Sequence, residues 1–377
     1  MTIRWGMVGG AGGFIGGSHR MGAQLDGHFA LVAGALSSDA GRGREAAAQL
    51  GLAPNRTYSD YRLMATEEAR RADGIEAVTI VTPNASHHAI AAAFIESGIH
   101  VICDKPLATS LTDAADLLDR AQQKNVLLGV TYNYSGYPLV RQARALVEEG
   151  MLGRLRLVQV EFLLGWLSVP LEREGVKQAW RTDPALAGPS GVVADIGTHA
   201  YHLVRFVTGL DLDVLSADVS TFVEGRALED NADIMMRFRG GARGALWASM
   251  VAAGETVGFR LRVYGEKGSL SWDQSFPDQL RLRLLNGTDQ TIHRGGAESP
   301  HAKMSTRLAA GLPEGFVEAF ANLYRDYAEL IVARREARPP NPLSSLAPMG
   351  AEGVEGLAFV DAVLRSAAAG GRWTGLS

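Results

Sequence analysis

The first third of the chain alternates short apolar runs with amphipathic stretches. Five runs have the length and composition of buried strands, at 3–8, 29–36, 77–81, 100–103 and 126–130. Helical periodicity separates several of them, at 44–50, 89–97 and 112–124. Strands that alternate with helices are typical of a parallel, doubly wound sheet. We therefore predict an α/β domain over residues 1–130.

The pattern changes after residue 153. Strand-like runs now follow one another with few helices between them, at 155–164, 215–223, 233–238, 242–251, 259–265, 280–284 and 290–293. This succession predicts an α+β domain with a large, mostly antiparallel open sheet. Helical periodicity returns at 315–337 and 350–369, with prolines between the two stretches. We expect a second domain over residues 131–377, with C-terminal helices able to pack back on the first domain.

Composition supports two soluble domains with small-molecule partners. The 377 residues exceed the usual limit of one hydrophobic core. A net charge of -4 gives no basic surface for nucleic acid or an anionic membrane, and we expect neither as a partner. Cys103 is the single cysteine, which excludes an intrachain disulfide and a multi-cysteine zinc site. No bilayer-spanning run or leader pattern is present, so we expect a cytoplasmic protein.

The run at 3–8 leads into a glycine-rich loop over residues 9–17, after which 18–25 has helical periodicity. Glycines between a first strand and a first helix let the backbone approach a pyrophosphate, which the helix N-terminus then faces. The spacing departs from strict G-x-G-x-x-G, because the loop has extra residues between its first and second glycines. We predict a Rossmann dinucleotide-binding domain whose cofactor contacts here are Gly9, Gly10, Gly13, Phe14 and Ile15.

The end of the second strand has no acidic residue where an NAD site would place one on the ribose. Ser37 stands at that position, followed by Ser38, and Arg42 lies just downstream. No carboxylate at position 37 repels a 2′-phosphate. The cofactor is therefore expected to be NAD or NADP, with loose discrimination that involves these three residues.

Two charged residues, Asp104 and Lys105, follow the fourth apolar run and precede Pro106. The carboxyl ends of strands in such a sheet are where ligands bind, so this lysine is placed to meet a substrate or cofactor. The alternative is a surface lysine at a strand exit.

A second pair of candidate residues lies in the later domain. Asp195 and His199 are four residues apart in Asp-Ile-Gly-Thr-His, which would put them on one face of a helix. Alcohol oxidation needs a base near neutrality, and a neighbouring carboxylate can orient an imidazole and stabilise its cation. The alternative is a helix-capping aspartate and a core histidine.

Together with these motifs, the chain contains Thr-Pro-Asn at 82–84, Tyr-Asn-Tyr at 132–134 and Trp-Arg-Thr-Asp-Pro at 180–184. On these motifs it resembles the Gfo/Idh/MocA family of nicotinamide-dependent sugar and polyol oxidoreductases, over nearly its whole length. The resemblance implies that Lys105 polarises the reacting oxygen and that His199 is the general acid/base. It implies that Asp195 supports His199 and touches substrate hydroxyls.

The same resemblance implies further contacts to the cofactor. These are Thr82, Pro83, Asn84 and His87 on the nicotinamide side, Asp104 and Lys105, and Asn133 near the junction with substrate. Asp104 stands where the family more often has glutamate, and the peptide bond before Pro106 is a candidate cis bond. NAD is slightly favoured because it is the commoner partner in the family.

Two departures from the family pattern concern the substrate. Tyr134 stands where many relatives have arginine, and His202 where many have aspartate. The predicted substrate-binding residues are Lys105, Tyr134, Trp166, Trp180, Arg181, Asp195, His199 and His202. Arg181 is the one anion partner among these motifs, and we expect Asp183 or the backbone to hold it. The predicted substrate is a neutral sugar, inositol or glucoside, oxidised at a ring hydroxyl.

Two alternatives stay open. One is a redox-neutral enzyme with tightly bound NAD, which cleaves or epimerises its substrate through a keto intermediate. The other is a cofactor-binding regulator without chemistry. No metal site is expected. An open sheet that its own helices leave uncovered tends to pair with a second copy, so we expect a homodimer or homotetramer.

Overall fold

The computed structural model describes residues 2–170, 179–296 and 299–376. Within these limits the chain divides into two compact units. The first comprises Met1–Asn133 and Phe316–Val354, and the second Tyr134–Gly315 and Glu355–Ser377. The expected boundary at 130/131 differs from this division by three residues. The first unit also includes the segment Phe316–Val354, which contains one of the C-terminal helices considered able to pack back on it.

The first unit contains a five-stranded sheet flanked by helices. In chain order it has β1 Ile3–Gly9, α1 Phe14–Leu25, β2 Phe29–Ala35, α2 Ala40–Gln49, α3 Tyr61–Arg70, β3 Ala77–Val81, α4 His87–Glu96, β4 His100–Cys103, α5 Leu111–Gln123 and β5 Leu128–Val130. The strand order is β2-β1-β3-β4-β5, and every neighbouring pair is parallel. This topology confirms the predicted doubly wound α/β sheet.

The second unit contains an eight-stranded sheet. Its elements are α6 Pro138–Glu148, β6 Leu155–Leu163, α7 Pro184–Ala187, α8 Thr198–Thr208, β7 Leu212–Ser220, β8 Asn231–Phe238, β9 Arg243–Ser249, β10 Gly258–Gly265, β11 Gly268–Asp273, β12 Gln279–Leu284, β13 Asp289–His293 and α9 Pro300–Met304. Two helices follow, α10 Phe316–Arg335 and α11 Gly350–Ala368.

The order of this sheet is β13-β12-β11-β10-β6-β9-β8-β7. Only the β6–β9 pair is parallel, which confirms the predicted mostly antiparallel sheet. Strand β11 has no counterpart among the predicted strands. It buries just two large side chains, Leu270 and Trp272, between small or polar residues, so its apolar run is too sparse to stand out.

Helix α10 supplies part of the core of the first unit. Tyr324 meets the rings of Trp5 and Phe29 edge to face, at centroid distances of 6.0 Å and 5.3 Å. Helices α1 and α10 approach closely at Gly22, where an added Cβ would lie 2.6 Å from Phe320 Cβ. The amphipathic pattern of α10 therefore covers the sheet and α1 together, which fixes α1 behind the glycine loop.

The eight-stranded sheet is covered on one face by α6 and α8. Its other face carries Leu157, Met235 and Trp247, which are 54%, 56% and 42% exposed. Alternation along β8 and β9 places these side chains opposite the buried ones. No helix in the described part of the chain is long and apolar enough to cross a membrane.

Candidate active site

The loop between β1 and α1 has the geometry of a phosphate cradle. Gly9, Gly10 and Gly13 have φ of 80°, 79° and 90°, a region that glycine adopts without strain. A Cβ on Gly9 would lie 2.5 Å from Val81 O, and one on Gly16 2.6 Å from Gly10 Cα. These close approaches explain why the loop needs glycine even though its spacing departs from the usual motif.

Helix α1 begins at Phe14, four residues earlier than predicted, and Gly13 is its N-cap. No side chain caps this end, and its first turn has no acidic residue. A Cβ on Gly13 would have nothing within 4 Å, so open space lies beside the first turn. Backbone N–H groups at an uncapped, accessible helix N-terminus fit a pyrophosphate. Phe14 itself is 73% exposed.

The loop after β2 holds a carboxylate, Asp39, two residues beyond the position of Ser37. Ser37 Oγ accepts the N–H of Asp39 at 3.1 Å, and Asp39 caps α2 by accepting the N–H of Arg42 at 2.7 Å. This hydrogen bond lowers the pKa of Asp39, and the Arg42 side chain lies 3.8 Å away. The charge of Arg42 is therefore partly offset where a 2′-phosphate would meet it. Ser38 is exposed.

His87 joins two loops at the carboxyl edge of the parallel sheet. Its Nδ1 and Nε2 lie 2.8 Å from the carbonyl oxygens of Pro106 and Thr82, respectively. Burial of the ring lowers its pKa, whereas the two carbonyl acceptors favour the protonated form. Its position links the segment after β3 to the segment after β4. Asn84 and Asn133 are also buried, whereas Thr82 and Pro83 are half-buried.

Lys105 lies at the carboxyl end of β4, half-buried, and its peptide bond to Pro106 is cis. Asp104 Oδ1 accepts the N–H of Lys105 at 3.0 Å and the hydroxyl of Thr131 at 2.9 Å. Asp104, predicted as a cofactor contact, thus accepts hydrogen bonds from the backbone of Lys105 and from the side chain of Thr131.

In the second unit, Asp195 lies in a π-helical turn, Val193–Gly197, which leads into α8. The N–H of Thr198 bonds to Val193 O, five residues back. A regular α-helix bonds four residues back, so the helix is locally wider here than the predicted α-helix, and the shared face of Asp195 and His199 stays a prediction. Such π turns recur at functional sites.

Glu229 holds the start of this turn, and no motif pointed to it. Its Oε1 accepts the hydroxyl of Ser190 at 2.5 Å and the N–H groups of Gly191 and Val193 at 2.8 Å and 3.3 Å. A Cβ on Gly191 would lie 2.4 Å from Glu229 O, which explains the glycine. A buried carboxylate from a distant part of the chain therefore fixes the segment that carries Asp195.

His199 packs in an aromatic cluster. Tyr134 meets its ring edge to face at 4.9 Å and also contacts Phe259 and Phe162, at 4.5 Å and 5.6 Å. Tyr134 is 7% exposed, and burial raises its pKa well above the ordinary value. The structure thus places Tyr134 against the candidate base, in the core of this unit.

Arg181 pairs with Asp195, through Nε and Oδ2 at 3.4 Å. The expectation that Asp183 or the backbone holds Arg181 is wrong, because Asp183 instead caps α7 by accepting the N–H of Ala185 at 2.9 Å. The Arg181 guanidinium also lies 4.5 Å from the ring of Trp180 and 5.8 Å from that of Trp166. The structure therefore brings together four of the predicted substrate-binding residues.

His202 lies one turn after His199, and its ring stacks on Phe206 at 5.9 Å. Burial, together with the positive charges of Arg144 and Arg205, lowers its pKa to about 3. The ring is therefore neutral near pH 7. Its role in binding substrate stays a prediction.

Two family models match this chain. Residues 3–132 match the oxidoreductase family with an NAD-binding Rossmann fold, and residues 140–271 match the GFO/IDH/MocA C-terminal domain. An uncharacterized oxidoreductase, YfiI, of Bacillus subtilis is 37% identical over 98% of this chain and 96% of its own. Levoglucosan dehydrogenase of Pseudarthrobacter phenanthrenivorans is 28% identical over 78% of this chain and 79% of its own.

Solved structures extend the similarity to the whole chain. An inositol dehydrogenase homolog from Azotobacter vinelandii, complexed with NADH and myo-inositol, is 41% identical with a TM-score of 0.93, covering 100% of this chain and 98% of that one. This chain therefore matches members of the family over nearly its whole length. The matched length includes the glycine loop after β1, the Asp-Lys-Pro segment and the turn that carries Asp195 and His199. The chain belongs to the Gfo/Idh/MocA family of NAD-dependent sugar and polyol oxidoreductases.

Proposed function

We propose that this protein is an NAD-dependent dehydrogenase that oxidises a ring secondary hydroxyl of a neutral cyclic polyol or sugar to a ketone. The observation that carries the proposal is the Arg181–Asp195 pair. The cation that would recognise a phosphate or carboxylate is already paired with a carboxylate. The site is therefore better suited to neutral hydroxyls, for which carboxylates, indole rings and imidazoles are suitable partners.

The roles of the residues follow from their chemistry. Bound nicotinamide supplies the hydride acceptor. The Lys105 ammonium donates a hydrogen bond to the reacting oxygen and stabilises the negative charge that develops on it. His199 takes the hydroxyl proton, and Asp195 binds a neighbouring hydroxyl. For the cofactor, the Asp39 carboxylate beside Ser37 and Arg42 supports a preference for NAD over NADP.

The relatives support a neutral ring as substrate. The Azotobacter vinelandii structure contains myo-inositol, and the Pseudarthrobacter relative is named for levoglucosan, an anhydrosugar. Another relative, 25% identical over 56% of this chain, is the glucose-6-phosphate 3-dehydrogenase of Bacillus subtilis, which is named for a negatively charged sugar phosphate. The substrate experiment therefore needs both neutral and anionic compounds.

A substrate panel tests the proposal. Purified protein is incubated with inositols, levoglucosan, glucose, methyl glucoside, glucose 6-phosphate and glucuronate, with NAD and NADP in parallel, and reduced cofactor is read by absorbance. We expect the best neutral compound to exceed both anions at least tenfold in kcat/KM, with NAD preferred. Anions that prove tenfold better would refute the neutral-substrate assignment. A copurifying cofactor with a redox-neutral product would instead identify the internal-redox alternative.

We further propose that the open face of the eight-stranded sheet pairs with a second copy of this chain. Its apolar centre, Leu157, Met235 and Trp247, lies among charges of both signs, including Asp233 and Arg262. In a two-fold symmetric dimer this face of one copy packs against the same face of the other. Its positive side chains can then meet negative side chains of the second copy. We expect light scattering to give a dimer or tetramer, and Met235→Glu to give a smaller species. A monomeric wild type contradicts this assembly.

A further inference from the structure

Four buried side chains of the first unit form a chain of hydrogen bonds. Trp5 Nε1 donates to Thr79 Oγ1 at 2.8 Å, and Thr79 Oγ1 lies 2.8 Å from the hydroxyl of Tyr324. That hydroxyl lies 2.8 Å from His19 Nδ1. All four residues are at most 1% exposed. The chain connects β1, β3, α10 and α1, and no motif in the sequence pointed to it.

The partners of Thr79 give this chain a direction. An indole nitrogen can only donate, so Thr79 Oγ1 accepts from Trp5. Among the described residues, the Tyr324 hydroxyl is the remaining hydrogen-bond neighbour of Thr79 Oγ1, so the Thr79 proton is directed to Tyr324. Tyr324 then has its proton free for His19 Nδ1. A neutral imidazole with an accepting Nδ1 has its proton on Nε2. Hydrogen bonds whose donors all point the same way along a chain also polarise and strengthen one another.

The proton on Nε2 of His19 faces the carboxylate that precedes Lys105. Nε2 lies 3.7 Å from Asp104 Oδ1, longer than a hydrogen bond, and no acceptor in the described residues lies closer in hydrogen-bond geometry. Burial alone would raise the pKa of Asp104. The His19 donor and the charge of Lys105 outweigh burial and hold that pKa well below its usual range.

We propose that His19 is a positioning residue for Lys105. The chain from Trp5 fixes its tautomer, the Nε2 proton faces the Asp104 carboxylate, and Asp104 holds the backbone N–H of Lys105 at 3.0 Å. This assignment rests on the proposed catalytic role of Lys105. It also gives Asp104 a role that a shorter side chain suits, because its Oδ1 reaches the N–H of its own neighbour and the Thr131 hydroxyl.

Nitrogen NMR of histidine-labelled protein tests the tautomer without any turnover. We expect His19, assigned by its loss in His19→Gln, to have a protonated Nε2 and an unprotonated Nδ1 at pH 7. A proton on Nδ1, in either the neutral tautomer or the cation, overturns the directed chain. Because this measurement needs no substrate, it stays informative even if the substrate panel contradicts the proposed function.

Kinetics test the consequence at Lys105. Tyr324→Phe removes the proton that Nδ1 accepts, so we expect kcat to fall about 10-fold, with the Kd for NAD within about twofold of wild type. The matched control is Tyr201→Phe, which deletes a buried hydroxyl bonded to Glu355 at 2.7 Å in the other unit. Equal kcat in the two variants refutes the positioning role.

A pair of substitutions at position 19 separates positioning from packing. Glutamine can accept from Tyr324 and donate toward Asp104, whereas leucine fills the space without either bond. We expect His19→Gln to retain at least about fivefold more kcat than His19→Leu, even where leucine gives the higher Tm. If kcat instead follows Tm across the two variants, His19 only packs.

Discussion

Replacing Glu229 by glutamine tests whether this carboxylate holds the turn that carries Asp195. Three donors converge on its Oε1, the Ser190 hydroxyl and the N–H groups of Gly191 and Val193. Glutamine keeps the volume and one accepting oxygen but loses the charge. Hydrogen bonds to charged groups stabilise by about 1 kcal/mol more than neutral ones, so three such bonds give a loss of about 2–3 kcal/mol.

For a unit of this size, a loss of 1 kcal/mol lowers Tm by about 2–4 °C, so we expect a decrease of about 4–12 °C. We also expect kcat of the folded variant to fall about 10-fold or more, because the turn shifts Asp195. Thermal unfolding by circular dichroism and turnover well below Tm provide the two measurements.

Glu314→Gln is the matched control for this variant. Glu314 Oε1 also accepts three donors, from Arg294, Arg307 and Leu308, and is buried in the same unit. Glu314 lies in a segment without catalytic candidates. We therefore expect the Glu314→Gln variant to have a lower Tm and the kcat of wild type. If Glu229→Gln keeps both Tm and kcat, or loses no more kcat than Glu314→Gln, the turn does not depend on Glu229.

Three further predictions concern catalysis, cofactor choice and acid stability. Lys105→Ala and His199→Ala are each expected to lower turnover by about 100-fold or more while NAD still binds, and near wild-type turnover in either variant contradicts that residue's role. Ser37→Asp is expected to weaken NADP binding through repulsion of the 2′-phosphate, and an unchanged NADP Kd shows that this loop does not contact the ribose. His202 has a folded pKa of about 3, below the unfolded value of about 6.5, so the unfolded chain binds the extra proton between these values. Its contribution to stability is therefore lost as the pH falls from about 6.5 toward 3. In urea unfolding, we expect the free energy of unfolding of His202→Gln to fall less between pH 7 and pH 4.5 than that of wild type. Equal decreases in the two proteins would refute this assignment.

The sequence predicted both sheets because their signals are local. The five parallel strands appear as short, mostly apolar runs, and β3 and β4 have the predicted bounds of 77–81 and 100–103. Strand β11 was missed because two buried side chains among serines give little contrast. The sequence allows C-terminal helices to pack back on the first domain, but periodicity alone does not assign Phe316–Val354 to that unit, since an amphipathic helix shows which face it buries but not what it packs against.

The candidate site divides in the same way. Residue types with chemistry, such as Lys105 and His199, stand in recognisable local motifs. Proximity in sequence is a poor guide to the partners of Arg181. Asp183 is two residues from Arg181 but caps a helix, whereas Asp195 forms the ion pair. A helix N-terminus offers Asp183 backbone donors at once, which leaves the guanidinium for another carboxylate.

Tyr134 shows how this packing bears on specificity. Its position departs from many relatives, which suggested a substrate contact, yet its ring is buried between Phe162, Phe259 and His199. An arginine there would place a charge among apolar rings, so Tyr134→Arg would unfold part of this unit before it reported on substrate choice. Tyr134→Phe keeps the edge-to-face contacts and removes only the hydroxyl. Because the ring contact with His199 is kept, we expect both kcat and the ranking of neutral substrates to stay close to those of wild type. A changed ranking in the panel would show that the hydroxyl contacts substrate after all.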